Sequence, residues 1–342
     1  MSSPKLLAML SKQSPIEGDD ALMRLAQVRF SEAGLGGELY VGSPEDLQRQ
    51  LTYRPEALPC TAHLPRNINL LQKSGRDTLM EYARIAGGKL YGLVVHDQLE
   101  FAQNPDETQA AMRETDWLLS HLDDSPLLFI EYAVGLEPSY FANLFERCSE
   151  TRYLSAALDV GHLGIRVCRT AYMAQYPDQD VCVLRPDSPE LPEKISGVQQ
   201  ATRMALPAVL DLIESLSRLD KPLHFHLHDG HPLSTLSRFG VSDHLSFLQQ
   251  IRLPFEYRGL YLLQGMFGLS GLRAIVRKAK AVLPADKLSF MMEMHPLEGE
   301  TPLREHASLF SHWQHKQNAE MMNYWLDTLL QNAALVRDAW GG

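Results

Sequence analysis

The sequence predicts an α/β protein, a (β/α)8 TIM barrel forming a single domain over residues 1–342 with a long loop after the sixth strand. Three observations carry that expectation. Short apolar runs alternate with longer segments of helical period, there are eight such runs, and the last six of them end in a histidine or a carboxylate.

The first run is Leu6–Leu10, followed by a helical segment at Asp19–Glu32. Glu38–Val41 and Cys60–His63 come next, then a helix at Arg76–Ile85, the run Leu90–His96 and a helix at Ala110–Leu122. Leu127–Glu131 and Leu154–Asp159 are the fifth and sixth runs. The helix Gln199–Arg218 leads to Leu223–His228, and Leu269–Val282 leads to Leu288–Glu293. A C-terminal helical segment occupies 300–342, its clearest part being Ala319–Ala339. Residues 166–196 break the rhythm: they are polar and proline-bearing, and read as an insertion or a lid loop. No run is followed by a GxGxxG turn, so dinucleotide binding has no support.

Composition narrows the field. At 342 residues with 45% hydrophobic and 22% charged side chains, the chain can bury a large core. A net charge of −10 offers no general attraction to nucleic acid or anionic lipid, and neither is expected as a partner. Cys60, Cys148, Cys168 and Cys182 form no CxxC pair and read as reduced packing thiols in a cytoplasmic protein. No apolar stretch approaches the roughly 20 residues of a membrane helix.

The strand ends carry the chemistry. They are His63, His96, Glu131, Asp159 with His162 three residues on, His226 to Asp229, and Glu293 with His295 two residues on. In a barrel all strand C-termini open on one mouth, and burying such groups together without a cation costs several kcal/mol for each unpaired charge. A bound metal is the economical explanation. Glu131, Asp159, His226 and Glu293 make an oxygen-rich ligand set suited to Mn2+, Mg2+ or Co2+, or to Zn2+. Adding His63, His96, His162 and His244 supports two or three ions and favours zinc. The stretch HFHLHDGH (224–231) concentrates four histidines; on a strand His224, His226 and His228 share one face. His226 is the expected ligand, His224 lies deeper, and His228 with Asp229 supports the rim.

These strand ends resemble the xylose isomerase-like superfamily, which holds sugar isomerases, ketose 3-epimerases and zinc-dependent apurinic-site endonucleases. The resembling motifs are AHLPRNINL (62–70), VVHD (94–97), LDVGH (158–162), HFHLHD (224–229) and MMEMHP (291–296). EYAVGLE, with Glu137 six residues after Glu131, is similar to the epimerases, where the second Glu touches substrate. The epimerase Arg after the seventh strand is replaced by Pro232, leaving Arg238 to serve from a longer loop. The endonuclease Asp-x-His motif falls on SDHLSF (242–247), with Ser242 at the Asp position and His244 retained.

The resemblance implies a divalent-metal isomerase or epimerase acting on a small polyhydroxylated carbonyl compound. Glu131 and Glu293 would exchange a proton α to the carbonyl, while His162 and Glu137 orient hydroxyls. His63, His96, His228, Arg238 and His244 would bind substrate or a second metal. The alternative is a zinc-dependent phosphodiesterase of the endonuclease kind, or a lyase or dehydratase on the same barrel. Homo-oligomers are common in the superfamily, and the resemblance leaves a homo-oligomer open here, since no residue pattern in the sequence marks an interface.

Overall fold

The computed structural model describes residues 3–10, 21–54, 57–184, 189–234, 244–248, 250–257, 260–294 and 319–342. Eight parallel strands close into a barrel: β1 (Lys5–Met9), β2 (Gly36–Tyr40), β3 (Cys60–His63), β4 (Gly92–His96), β5 (Leu127–Glu131), β6 (Leu154–Asp159), β7 (Leu223–Leu227) and β10 (Leu288–Met292). Their order around the barrel is β1-β10-β7-β6-β5-β4-β3-β2. The (β/α)8 class expected from the sequence is therefore the one found, and each strand lies within two residues of its predicted ends.

The chain divides into two compact units. The first comprises residues 1–158, 215–226 and 283–292. It holds the strands, except for Asp159 and Leu227, and the helices α1 (Ala21–Glu32), α2 (Pro44–Gln50), α3 (Lys73–Ala86), α4 (Glu100–Gln103), α5 (Pro105–Leu119) and α6 (Pro138–Glu146). The strands are short, four to six residues each, and residues two apart share a face. Val94, Phe129 and Ala157 meet as one apolar cluster in the barrel, each fully buried. Burying a side chain such as Phe129 contributes about 1.5–3 kcal/mol. In α3 the buried residues Leu79, Met80, Ala83 and Ala86 recur at helical spacing, the stripe that the sequence shows.

The second unit comprises residues 159–214, 227–282 and 293–342. It contains α7 (Val160–Gln175), α8 (Leu191–Arg203), most of α9 (Ala205–Ser217), α10 (Gly268–Val282) and α11 (Ala319–Gly341). It also holds an antiparallel pair, β8 (Gln250–Tyr257) and β9 (Leu260–Gln264), which the sequence reading missed. In α11 the buried residues Leu326, Leu329, Ala333 and Val336 form one stripe, and Trp325 Nε1 donates to Met294 O.

The segment 166–196 is not a loop along its length. Residues 166–175 continue α7 and 191–196 open α8. Buried Leu163, Cys168 and Tyr172, then Leu191, Ile195 and Val198, supply a helical apolar face that the polar residues between them obscure. The helix predicted at Gln199–Arg218 is divided at Met204, and Pro207 sits in the first turn of α9, where its missing N–H costs nothing. Among the described residues no helix is long and apolar enough to cross a membrane. All four cysteines are buried free thiols.

Candidate metal centre

The first unit gathers three imidazoles around one carboxylate. Strand pairing sets Tyr40 beside His63 and His96 beside Glu131, while His63 pairs with Val94, two residues before His96. His63 Nε2 lies 2.8 Å from Glu131 Oε2, and His96 Nε2 lies 3.4 Å from the same oxygen. His226 Nδ1 is 3.6 Å from Glu131 Oε1. The Tyr40 ring stacks on His63 with centroids 4.6 Å apart. Glu131 is 2% exposed. Burial alone would raise its pKa, but the charges of His96, His226 and His63 hold it well below the usual carboxylate range.

Beneath this group, on the same inward faces, sits a second polar layer of Glu38, Thr61, His224 and Ser289. The sequence reading placed His224 there but passed over Glu38, whose signal was a carboxylate inside the apolar run GGELY. Asp97, just past β4, accepts from the backbone N–H groups of Ala133 and Val134 and so ties down the turn after Glu131.

The second unit gathers Asp159, His162, His228, His244 and Glu293. Asp159 closes β6 and is the N-cap of α7, accepting from His162 N at 2.7 Å, which fixes the helix start and the place of His162. His228 Nε2 lies 2.9 and 3.1 Å from the two Asp159 oxygens. His244 stacks on His228 with centroids 4.0 Å apart, and its Nε2 is 3.7 Å from Glu293 Oε1. His244 reaches this position because Asp229 and Leu245 exchange two backbone hydrogen bonds, at 2.7 and 2.9 Å. The Asp229 carboxylate in turn accepts from the N–H groups of Gly230, Phe267 and Gly268, so it is a clamp on the backbone rather than a ligand. Burial pushes its pKa up to about 6. Gly161 is required here: a Cβ at that position would sit 1.9 Å from His228 Cε1.

Both groups fit a divalent cation. Leu64 O and Asp229 O are acceptors only, so they take the Nδ1–H of His63 and His228. The remaining Nε2 of each ring then faces a carboxylate, and two acceptors facing each other need a proton or a metal ion between them. Burial would lower the pKa of His228, yet the Asp159 charge drives it up to about 9, the mark of a pair that holds a proton when no metal is present. Two donors on one zinc ion stand about 3.4 Å apart, given Zn–N bonds near 2.1 Å and tetrahedral angles. The donor separations around Glu131 run from 2.8 to 3.6 Å.

The four residues expected as ligands are all buried. Glu131 and His226 belong to the first unit, Asp159 and Glu293 to the second. His63, His96, His162, His228 and His244 all join one group or the other. Glu137 does not: it is an exposed residue at the start of α6. Arg238 and His295 lie outside the described residues.

His231, near this second group, is buried and accepts from Leu233 N through Nδ1. Burial lowers its pKa to about 3. The folded protein thus binds a proton there less readily than the unfolded chain. The stability contributed by neutral His231 is complete above the ordinary histidine pKa near 6.5 and is lost as pH falls from there toward about 3. His231→Asn, which keeps an acceptor for Leu233 N, should be the more acid-resistant protein, by about 2 kcal/mol at pH 5 relative to pH 7.5. Denaturant unfolding of both proteins at the two pH values checks this, and equal pH sensitivity would refute it.

No family model matches this sequence, and no curated protein matches it. Among solved structures, the chain is similar to the crystal structure of AsfvAP:AG, with 11% identity, a TM-score of 0.48, and coverage of 96% of this chain and 100% of that one. It is also similar to the carboxyl transferase domain of Rhizobium etli pyruvate carboxylase with 3-bromopyruvate, at 12% identity and a TM-score of 0.41. There it covers 99% of this chain but 48% of the other. At this level of likeness, nothing about the chemistry of this chain follows from either.

Proposed function

We propose that this protein is a divalent-metal-dependent hydrolase of phosphoric esters, with zinc as its working ion. The observation that carries the reading is Glu131 held among His63, His96 and His226. A carboxylate so engaged, with its pKa held low, is a ligand rather than a group that alternately takes and returns a proton. That weighs against a sugar isomerase using Glu131 as acid and base. The second group adds three further imidazoles, and six imidazoles with three carboxylates favour zinc over magnesium or manganese.

His63, His96, Glu131 and His226 would hold one ion, and Asp159, His162, His228, His244 and Glu293 would hold at least one more. Zinc in such sites supplies Lewis acidity at a phosphoryl oxygen and lets water act as a nucleophile near neutral pH. The protein's own part is to keep the ligands oriented. The carbonyls of Leu64 and Asp229 fix the tautomers of His63 and His228, and Asp159 anchors the start of α7.

The test is elemental analysis of protein purified without added metal, paired with two assays: hydrolysis of bis(p-nitrophenyl) phosphate, and exchange of the α-proton of ketoses. Two or more zinc ions per chain are expected. Chelation should lower ester hydrolysis by on the order of 100-fold or more, and zinc should restore it. One manganese, cobalt or magnesium ion with ketose exchange would instead establish the isomerase. Absence of metal under every supplementation would overturn both.

A further inference from the structure

Helix α11 supplies none of the candidate ligands, yet two of its buried side chains bond to the segments that carry them. Trp325 Nε1 donates to the carbonyl of Met294, the residue after Glu293. Asn332 is fully buried and uses its whole amide. Its Oδ1 accepts from Phe247 N at 3.2 Å, and its Nδ2 donates to Ser246 Oγ at 2.9 Å and to Thr328 O at 2.8 Å. Phe247 N only donates and Thr328 O only accepts, so the two ends of the amide cannot be exchanged. Trp325 and Asn332 are seven positions apart, about two turns along one face of the helix.

We propose that Asn332 and Trp325 are positioning residues for the second metal group, Asn332 setting the place of His244 and Trp325 that of Glu293. The segment that follows His244 is clamped twice. Leu245 exchanges its backbone hydrogen bonds with Asp229, and the next two residues, Ser246 and Phe247, are held by Asn332. His244 stands one residue before this double clamp, its ring stacked on His228 and its Nε2 3.7 Å from Glu293 Oε1. A ligand on an unbraced segment has to be ordered when the ion binds, and that entropy is subtracted from the affinity. With both braces in place, His244 and Glu293 are ordered before any ion arrives. The inference rests on the metal reading given above.

The first test is made on metal-free protein. The Cε1 proton of His244, assigned by its loss in His244→Gln, lies against the His228 ring and carries its ring-current shift. Asn332→Leu keeps the volume and removes every hydrogen bond of the amide, so that shift should collapse; an unmoved resonance would overturn the role of Asn332. The second test is zinc affinity by competition with a chromogenic chelator. Asn332→Leu should weaken one ion by about 10- to 100-fold and leave the ion at Glu131 unchanged. Trp325→Phe, which removes the indole N–H and keeps a ring, and Ser246→Ala, which removes the hydroxyl that Asn332 reaches, should weaken the same ion less. They also carry the test if Asn332→Leu does not fold: wild-type affinity in both would overturn the proposal. Val336→Ala opens a cavity at a buried apolar position of the same helix and should keep both ions. Loss of the same ion in Val336→Ala, at matched unfolding stability, would show that α11 acts only through stability and would overturn positioning. Failure of the wild-type protein to bind zinc would overturn the metal reading itself and leave the metal-free resonance result standing, so the two failures are distinguishable.

Discussion

Glu131→Gln is expected to release one zinc ion per chain and to abolish phosphoric ester hydrolysis. The substitution keeps the shape of the side chain and removes only its charge. His63, His96 and His226 then face an amide at a position that is 2% exposed in the wild type, with no anion of their own group to offset a cation. Removing one partner of a buried ion pair costs about 3–5 kcal/mol, which is on the order of 100- to 4,000-fold in affinity or stability. Zinc content after dialysis and the rate on bis(p-nitrophenyl) phosphate check this directly. Glu137→Gln is the control: Glu137 is exposed and outside both groups, so its change should leave stability within about 0.5 kcal/mol and leave zinc content alone. Unchanged zinc content in Glu131→Gln would remove the foundation of the proposed function.

Gly161→Ala should empty the second group while sparing the first. The new methyl would meet the His228 ring at 1.9 Å from Cε1 and 2.4 Å from Nδ1. That ring cannot step aside cheaply, because Asp229 O holds one nitrogen and Asp159 faces the other. Overpacking of this kind costs about 1–3 kcal/mol. Elsewhere inside a helix the same change would stabilise by up to about 1 kcal/mol, since Ala is the better helix former. The sign of the stability change is therefore decisive. A destabilised protein that loses the ion held by Asp159, His162, His228 and His244, and keeps the ion at Glu131, is the expected result. A stabilised protein with full zinc content would show that His228 is free to move and is no ligand.

The barrel was legible in the sequence because its strands are short apolar runs whose limits are set by their own composition. Cys60–His63, Leu127–Glu131 and Leu154–Asp159 have the same bounds in the structure as in the sequence reading. α7 and the first half of α8 were not legible, because their buried faces are interrupted by the polar residues that cover the outer side. The β8–β9 pair was missed for another reason: an antiparallel hairpin in the connection after β7 has no place in a regular alternation of strand and helix.

The chemistry divides in the same way. That the strands stop at ionisable residues is a local fact, visible wherever an apolar run ends in His, Asp or Glu. Which of those residues share an ion is not local. His63 and Glu131 are 68 positions apart, and Glu38 and His224 are 186 apart, joined only by closure of the barrel. His244 stands beside His228 through a single backbone bridge between Asp229 and Leu245, which no spacing rule encodes. The sequence by itself determined the fold class and the stock of possible ligands, because both follow from composition along the chain. Only the tertiary structure showed which of those ligands meet within each unit, because that depends on which inward-facing side chains come together once the strands are paired.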